Sequence, residues 1–246
     1  MSTRHIAQRA PTLSTQHSAL HIVIAGGGFA GVRLARLLAR NGPRRDAAGR
    51  PVRVTLIDRQ RAFTYTPLLY EVAAGKIAPE HATTPYRDLL WDSSVAVRQA
   101  TITGFDLERH AVITEDGEVP YDRLVLAVGA ASTLPRIVGA HSNTPGGLAT
   151  HALPFMNLSD AEAIRTRLTA RFRTAARASD GITIVVAGGG AKGVELIFDL
   201  ADFAERRLAP AYGIARDQIR LVLVNGEERL MADLPPYFDR DARAAM

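Results

Sequence analysis

Two glycine clusters in this chain have the spacing that lets a backbone wrap a phosphate: Gly26-x-Gly28-x-x-Gly31 and Gly188-x-Gly190-x-x-Gly193. In such a loop the first glycine permits a tight turn after a strand. The second lets the main chain approach a pyrophosphate, and the third lets the following helix pack close to the strand. The helix N-terminus then turns N–H groups and the positive end of its dipole toward the phosphates. A carboxylate at the end of the next strand accepts hydrogen bonds from a ribose diol, and Asp58 stands there after the first cluster. After the second cluster the equivalent residue is Asn225. Asn bonds a ribose hydroxyl without charge assistance and does not repel a 2′-phosphate. Glu227 and Glu228 can substitute as acceptors, whereas Arg229 can favour a phosphate, so the choice between NAD and NADP stays open.

These loops need a strand before them and a helix after them. His21–Ala25 is a β-branched run that reads as a buried strand, Val32–Ala39 carries a helix stopped by Asn41-Gly42-Pro43, and Val52–Ile57 is a second strand. The spacing to Asp58 exceeds the usual ~20 residues, and the polar loop Asn41–Pro51 accounts for the excess. Strand, glycine turn, helix, strand is a βαβ unit. The second pass repeats it, with a strand at Ile182–Ala187, a helix at Val194–Arg207 and a strand at Ile219–Val224. Between the two, Thr84–Trp91 reads as a short helix starting at Pro85. From Ser94 to Val128 short strand-like pieces, with Asp116-Gly117 as a hairpin turn, read as a small antiparallel sheet inserted into a parallel one. Ser159–Ala178 reads as a helix with Ser159 as N-cap and Glu162 completing a capping box.

The fold class is therefore α/β, with two Rossmann-like dinucleotide-binding units in series, the first carrying the inserted sheet and the second incomplete. The expected organisation is a flexible tail over residues 1–20, an FAD-binding domain over 21–150 and an NAD(P)-binding domain over 151–246. The boundary is set by the Gly/Pro-rich connection Ala130–Pro154. Two dinucleotide units in one chain suggest a nicotinamide donor and a flavin acceptor. The flavin goes to the first site because the nicotinamide nucleotide then has a place of its own.

Composition narrows the chemistry. The 246 residues are 47% hydrophobic and contain no Cys, which excludes disulfide scaffolds, thiolate metal sites and thiol-relay redox mechanisms. Any electron transfer goes through a bound cofactor. The net charge is +5, with Lys only at 76 and 192. The Arg residues are scattered and offset by nearby acids, so a solvated surface is expected rather than a nucleic-acid interface. No apolar run reaches the ~20 residues of a membrane span, and Met1–Leu20 lacks the apolar core of a secretory signal.

The motifs resemble type II NADH dehydrogenases. Ile22–Gly31 resembles that family's FAD fingerprint, and so does Thr55-Leu56-Ile57-Asp58-Arg59. Tyr65–Ala73 (YTPLLYEVA) is similar to its flavin-flanking QPLLYQVA segment, Val119–Gly129 to its VPYDYLVLATG strand, and Gly188–Leu196 to its GGGPTGVELAG loop. The resemblance covers residues 21 to about 235. It implies a flavoprotein that oxidises NAD(P)H and reduces a quinone. Such a protein works in the cytoplasm or peripherally on the cytoplasmic face of the inner membrane, and a homodimer is left open. By the motif match Gly26, Gly28, Phe29, Ala30, Gly31, Asp58 and Arg59 hold FAD. Pro67 and Leu68 lie near the flavin ring, and Ala127 and Gly129 near its phosphates. Gly188, Gly190, Gly193, Glu195 and Asn225 face the nicotinamide nucleotide, with Glu195 toward its nicotinamide end. No side chain acts as acid or base in hydride transfer, and no metal is expected. Tyr65 and Tyr70 are expected to pack rather than bind, and core packing is the competing role for Pro67 and Leu68.

The sequence departs from the family pattern at Val128 (usually Thr), at Ala191 and Lys192 (usually Pro and Thr) and at Asn225 (usually an acid). It also stops where family members return to the FAD domain, so a truncated product or fragment is expected. The competing functions are a catalytically silent FAD- or nucleotide-binding module, and a soluble reductase passing electrons to a ferredoxin-like partner. Sulfide:quinone and disulfide reductases are disfavoured because they need Cys.

Overall fold

The computed structural model describes residues 18–91, 94–130, 152–178 and 180–246. Most of the expected N-terminal tail, residues 1–17, and most of the interdomain connection, residues 131–151, lie outside the described residues. In chain order the first elements are β1 (Leu20–Ala25), α1 (Phe29–Asn41), β2 (Val52–Asp58), β3 (Ala62–Thr64), α2 (Leu69–Ala73), β4 (Thr83–Pro85) and α3 (Tyr86–Leu89). Then come β5 (Val95–Gln99), β6 (Ile102–Asp106), β7 (Ala111–Thr114), β8 (Gly117–Pro120) and β9 (Arg123–Leu126). The rest comprises α4 (Leu158–Ala178), β10 (Ile182–Ala187), α5 (Ala191–Asp202), α6 (Ala209–Tyr212), β11 (Ile219–Val224) and α7 (Pro236–Ala245). Residue contacts gather these into two units: one holds residues 18–61 and 86–129, the other 62–85 and 130–246. The sequence reading keeps 62–85 in the first domain; the contacts gather it with the second unit.

The first unit is built on a parallel sheet of order β5-β2-β1-β9. Its centre is β1, paired with β2 from Leu20↔Val52 to Ala25↔Ile57 and with β9 from Ile22↔Arg123. Val23, Ile24, Ala25, Leu56 and Ile57 are fully buried, as expected of β-branched and aliphatic runs in a sheet covered on both faces. Helix α1 buries Gly31, Val32 and Ala35. The antiparallel insertion is smaller than the sequence suggests. Only β6-β7-β8 form it, whereas β5 pairs parallel with β2 and β9 with β1. A short alternating stretch has the same local pattern in either setting. The hairpin turn also shifts by one residue: Thr114 pairs with Gly117, so Glu115 and Asp116 form the loop.

In the second unit β10 and β11 pair in parallel over six residues, from Ile182↔Ile219 to Ala187↔Val224. Helix α4 packs the fully buried Phe172 into a core shared with Val72, Ala161, Ala175, Ile197 and Leu200. The apolar face of α2 (Leu69, Val72, Ala73) belongs to this core. The start of α4 corrects the expected cap. Asn157 Oδ1 accepts from the Asp160 amide at 3.0 Å, while Asp160 Oδ2 accepts from the Asn157 amide at 3.2 Å. That reciprocal box is Asn157/Asp160, not Ser159/Glu162. Ser159 instead donates its hydroxyl to Asn157 Oδ1 at 2.6 Å. Helix α5 continues through a π-helical stretch, Phe203–Leu208, into α6. Pro210 lies just beyond that stretch and cannot donate to an i−4 carbonyl, and the wider π turns accommodate it.

Candidate functional site

The first glycine loop leaves β1 at Gly26, whose φ of +104° is open to glycine but strained for other residues. A Cβ there would also overlap the carbonyl oxygen of Ala127 beyond β9, and a Cβ at Gly31 would overlap the carbonyl oxygen of Gly26. Gly28 differs: it is the N-cap of α1, and a Cβ built on it meets nothing within 4 Å. Packing therefore requires Gly26 and Gly31, while Gly28 opens a space in front of the helix N-terminus. Phe29 and Ala30, the first helical residues, are exposed beside that space.

The strand-end acid closes the loop. Asp58 Oδ2 accepts from the Gly27 amide at 2.6 Å, and Oδ1 accepts from the Gln60 amide at 2.8 Å. Tyr86, at the start of α3, donates its hydroxyl to the Gly27 carbonyl at 2.9 Å. Burial pushes the Tyr86 phenol well above its ordinary range, and the neighbouring Asp58 charge adds to this. Sequence reasoning missed Tyr86; the one available signal is an aromatic directly after Pro85, and the structure corrects the expected helix start, since Thr83–Pro85 is strand β4 paired with β3 and the helix spans only Tyr86–Leu89. Ala127 is tied to β1 by its amide, which donates to the Ala25 carbonyl at 2.8 Å, and Gly129 follows with φ +72°. Arg59 is exposed, and its carbonyl accepts from Gln99 Nε2 at 3.3 Å. The structure thus brings Gly26, Gly28, Phe29, Ala30, Gly31, Asp58, Arg59, Ala127 and Gly129 together at the C-terminal ends of parallel strands, where open α/β sheets bind ligands.

The second loop repeats this plan almost atom for atom. Gly188 has φ +115°, and its amide donates to the Val224 carbonyl at 2.8 Å, as the Gly26 amide donates to Ile57 at 2.8 Å. A Cβ at Gly193 would overlap the Gly188 carbonyl oxygen, and Gly190, the N-cap of α5, is open. The Gly189 amide donates to Asn225 Oδ1 at 3.1 Å. Here the Gly189 carbonyl accepts from the Met231 amide at 2.7 Å, where the first loop uses a tyrosine. Asn225 also donates through Nδ2 to the carbonyls of Glu227 at 2.8 Å and Arg229 at 2.9 Å.

Glu195 is exposed on α5 in the same unit. The Tyr70 phenol neighbours it: burial first, then interaction with the Glu195 carboxylate, pushes that phenol well above its usual range. Its ring also tilts against Phe155 with centroids 5.1 Å apart. Tyr70 thus combines packing with a polar partner that the sequence did not reveal. Pro67 is exposed, and Leu68 packs at the edge of the second unit's core. Among the described residues no group of His, Asp or Glu could hold a metal, and no helix is long and apolar enough to cross a membrane.

Comparison with known proteins gives the family. Residues 20–246 match the pyridine nucleotide-disulphide oxidoreductase model, although this chain has no Cys. It is 30% identical to demethylphylloquinone reductase NdbB of Synechocystis sp., covering 92% of this chain and 51% of that protein. It is also 30% identical to the type II NADH:quinone oxidoreductase Ndh of Mycobacterium tuberculosis, covering 87% of this chain and 45% of that one. The chain spans about half the length of these curated relatives. Among solved structures, NDH2 from Plasmodium falciparum in complex with NADH shares the fold, with a TM-score of 0.75 at 22% identity over 92% of this chain and 45% of that one. The chain belongs to the pyridine nucleotide-disulphide oxidoreductase family and is related to its type II NADH:quinone oxidoreductases.

Proposed function

We propose that the first unit binds FAD, that the second binds NAD(P)H, and that the protein to which this chain corresponds oxidises the nicotinamide nucleotide and reduces a quinone at a membrane surface. The observation that carries this is the duplicated cradle. Two glycine loops leave an open position at Gly28 and at Gly190, each before a helix N-terminus and each closed by a strand-end side chain.

In this reading the first turn of α1, from Phe29 to Gly31, faces the FAD pyrophosphate with its amides. Asp58 accepts from the ribose while its other contacts hold the loop, and Arg59, Ala127 and Gly129 border the same edge. Bound flavin supplies the acceptance of hydride and its onward release as electrons. Around the second cradle Gly188, Gly190 and Gly193 shape the phosphate loop, Asn225 receives the adenosine ribose, and Glu195 lies toward the nicotinamide end. The fit is chemical: open glycines, dipole ends and a carboxylate are what a dinucleotide needs, and hydride transfer asks no side chain to move a proton. The relatives named for quinone reduction support quinone as acceptor.

The test is anaerobic titration of the purified, flavin-loaded protein with NADH. Loss of the flavin absorbance, followed by its return on adding a soluble quinone, supports the proposal. A flavin that NADH leaves fully oxidised overturns it for this chain.

A further inference from the structure

The two cradles use the same position in different ways. In the first, a carboxylate bonds the glycine loop and brings a full negative charge to the ribose edge. In the second, Asn225 fills that position with a neutral amide whose hydrogen bonds run inward. Oδ1 takes the Gly189 amide, and the two Nδ2 protons go to the carbonyls of Glu227 and Arg229. What faces a ribose is then at most one lone pair of an uncharged oxygen.

The charges around the loop do not restore the missing carboxylate. The side chains of Glu227 and Glu228 are exposed, where water and salt screen them. The Arg229 guanidinium is folded back, with Nη2 donating to the Leu234 carbonyl at 2.8 Å and Nε enclosed without a partner. Arg243 on α7 reaches the Glu228 carbonyl through Nη2 at 2.7 Å while its Nε pairs with Asp239 at 2.8 Å. The loop therefore holds two guanidinium groups beside its two exposed acids. Neither Arg is available as a dedicated phosphate clamp, and no carboxylate is hydrogen-bonded at the ribose edge.

We propose that the second cradle takes NADPH as well as NADH, because the group that would repel a 2′-phosphate is replaced by the inward-turned amide of Asn225. This rests on reading residues 188–225 as a nicotinamide-nucleotide site. Discrimination is lost rather than reversed, since among the described residues no base is positioned to reward the extra phosphate.

The experiment is calorimetric titration of the flavin-loaded chain with NAD⁺ and with NADP⁺, in which no turnover occurs, for the native protein and for Asn225→Asp. The native affinities are expected to agree within about tenfold. Asn225→Asp, which copies the Asp58 arrangement, is expected to weaken NADP⁺ by at least ~10-fold while leaving NAD⁺ within ~3-fold. A native preference for NAD⁺ above ~100-fold, or an Asn225→Asp protein with an unchanged ratio, overturns the inference while leaving the site intact. Failure of both nucleotides to bind folded protein overturns the reading of the site itself. The native ratio decides the matter even if the variant does not fold.

Discussion

The Gly27 amide donates to the Asp58 carboxylate across 2.6 Å, and the same contact recurs between Gly189 and Asn225 at 3.1 Å. One is charge-assisted and the other is not, which fits the shorter distance. In each case the strand-end side chain holds the middle of the glycine loop and fixes the opening at the next residue.

Asp58 is the first residue to change. Asp58→Asn keeps the shape and removes the charge. Flavin affinity is expected to fall by roughly 10–100-fold, the range for loss of one charge-assisted hydrogen bond. The ratio of flavin to protein absorbance after gel filtration reads this directly. Full retention of flavin would assign Asp58 to loop closure alone.

Gly31→Ala and Gly193→Ala place a Cβ on the carbonyl oxygens of Gly26 and Gly188. Each substitution deforms its own cradle, because the blocking atom is backbone. Gly193→Ala is expected to lose nicotinamide-nucleotide binding, by about tenfold or more, while keeping flavin. Gly31→Ala is expected to lose flavin. Parallel titrations of the two ligands separate these outcomes, and equal losses in both variants would contradict independent cradles.

Tyr86 makes alkaline pH informative. Its folded-state phenol is raised, chiefly by burial, whereas an unfolded tyrosine ionises near ~10. Below that pH both states keep the proton and the stabilisation is complete. As pH climbs from ~10 toward the raised folded value, the unfolded chain sheds the proton first and stability declines. Tyr86→Phe is expected to remove one late-ionising phenol from a 295 nm titration and to flatten the decline of Tm above pH ~10. An unaltered titration curve would place Tyr86 outside the buried site.

The N-terminus of α4 separates two caps. Asn157→Ala is expected to cost about 1 kcal/mol in urea unfolding, since Asn157 Oδ1 satisfies an orphan helix amide. Ser159→Ala is expected to stay within about 0.5 kcal/mol. The reverse order would restore the cap inferred from sequence.

Much of the fold was legible because it is written in short apolar runs bounded by glycine. The strands beginning at Leu20, Val52, Ile182 and Ile219 and the helices after both glycine loops follow from local pattern. What was not legible depends on partners distant in sequence. Val95–Gln99 looks the same as a meander strand or as the edge of a parallel sheet, and only its pairing with Val54–Asp58 decides. The α4 cap moved by two residues because Asn157 and Ser159 are both good caps, and the carboxylate of Asp160 selects the first. Helix α7 is absent from the sequence reading; it begins at Pro236, and proline suits a first helical turn. In the cradles the glycines and Asp58 stood out by spacing. Tyr86, Tyr70 and Met231 did not, since nothing local distinguishes a phenol or an amide aimed at a loop from one that merely packs.

The assignment of residues 62–85 to the second unit bears on how such a protein is divided. The polypeptide passes from one unit to the other at 61/62, at 85/86 and at 129/130, so a single scission cannot yield two self-sufficient halves. Ending the chain after residue 130 strands Leu69, Val72 and Ala73 without the helix that buries them. Starting it there leaves Phe172 facing a gap. The modules are interleaved, and any shuffling, splitting or circular permutation of this architecture has to carry the 62–85 excursion with the second unit downstream of it.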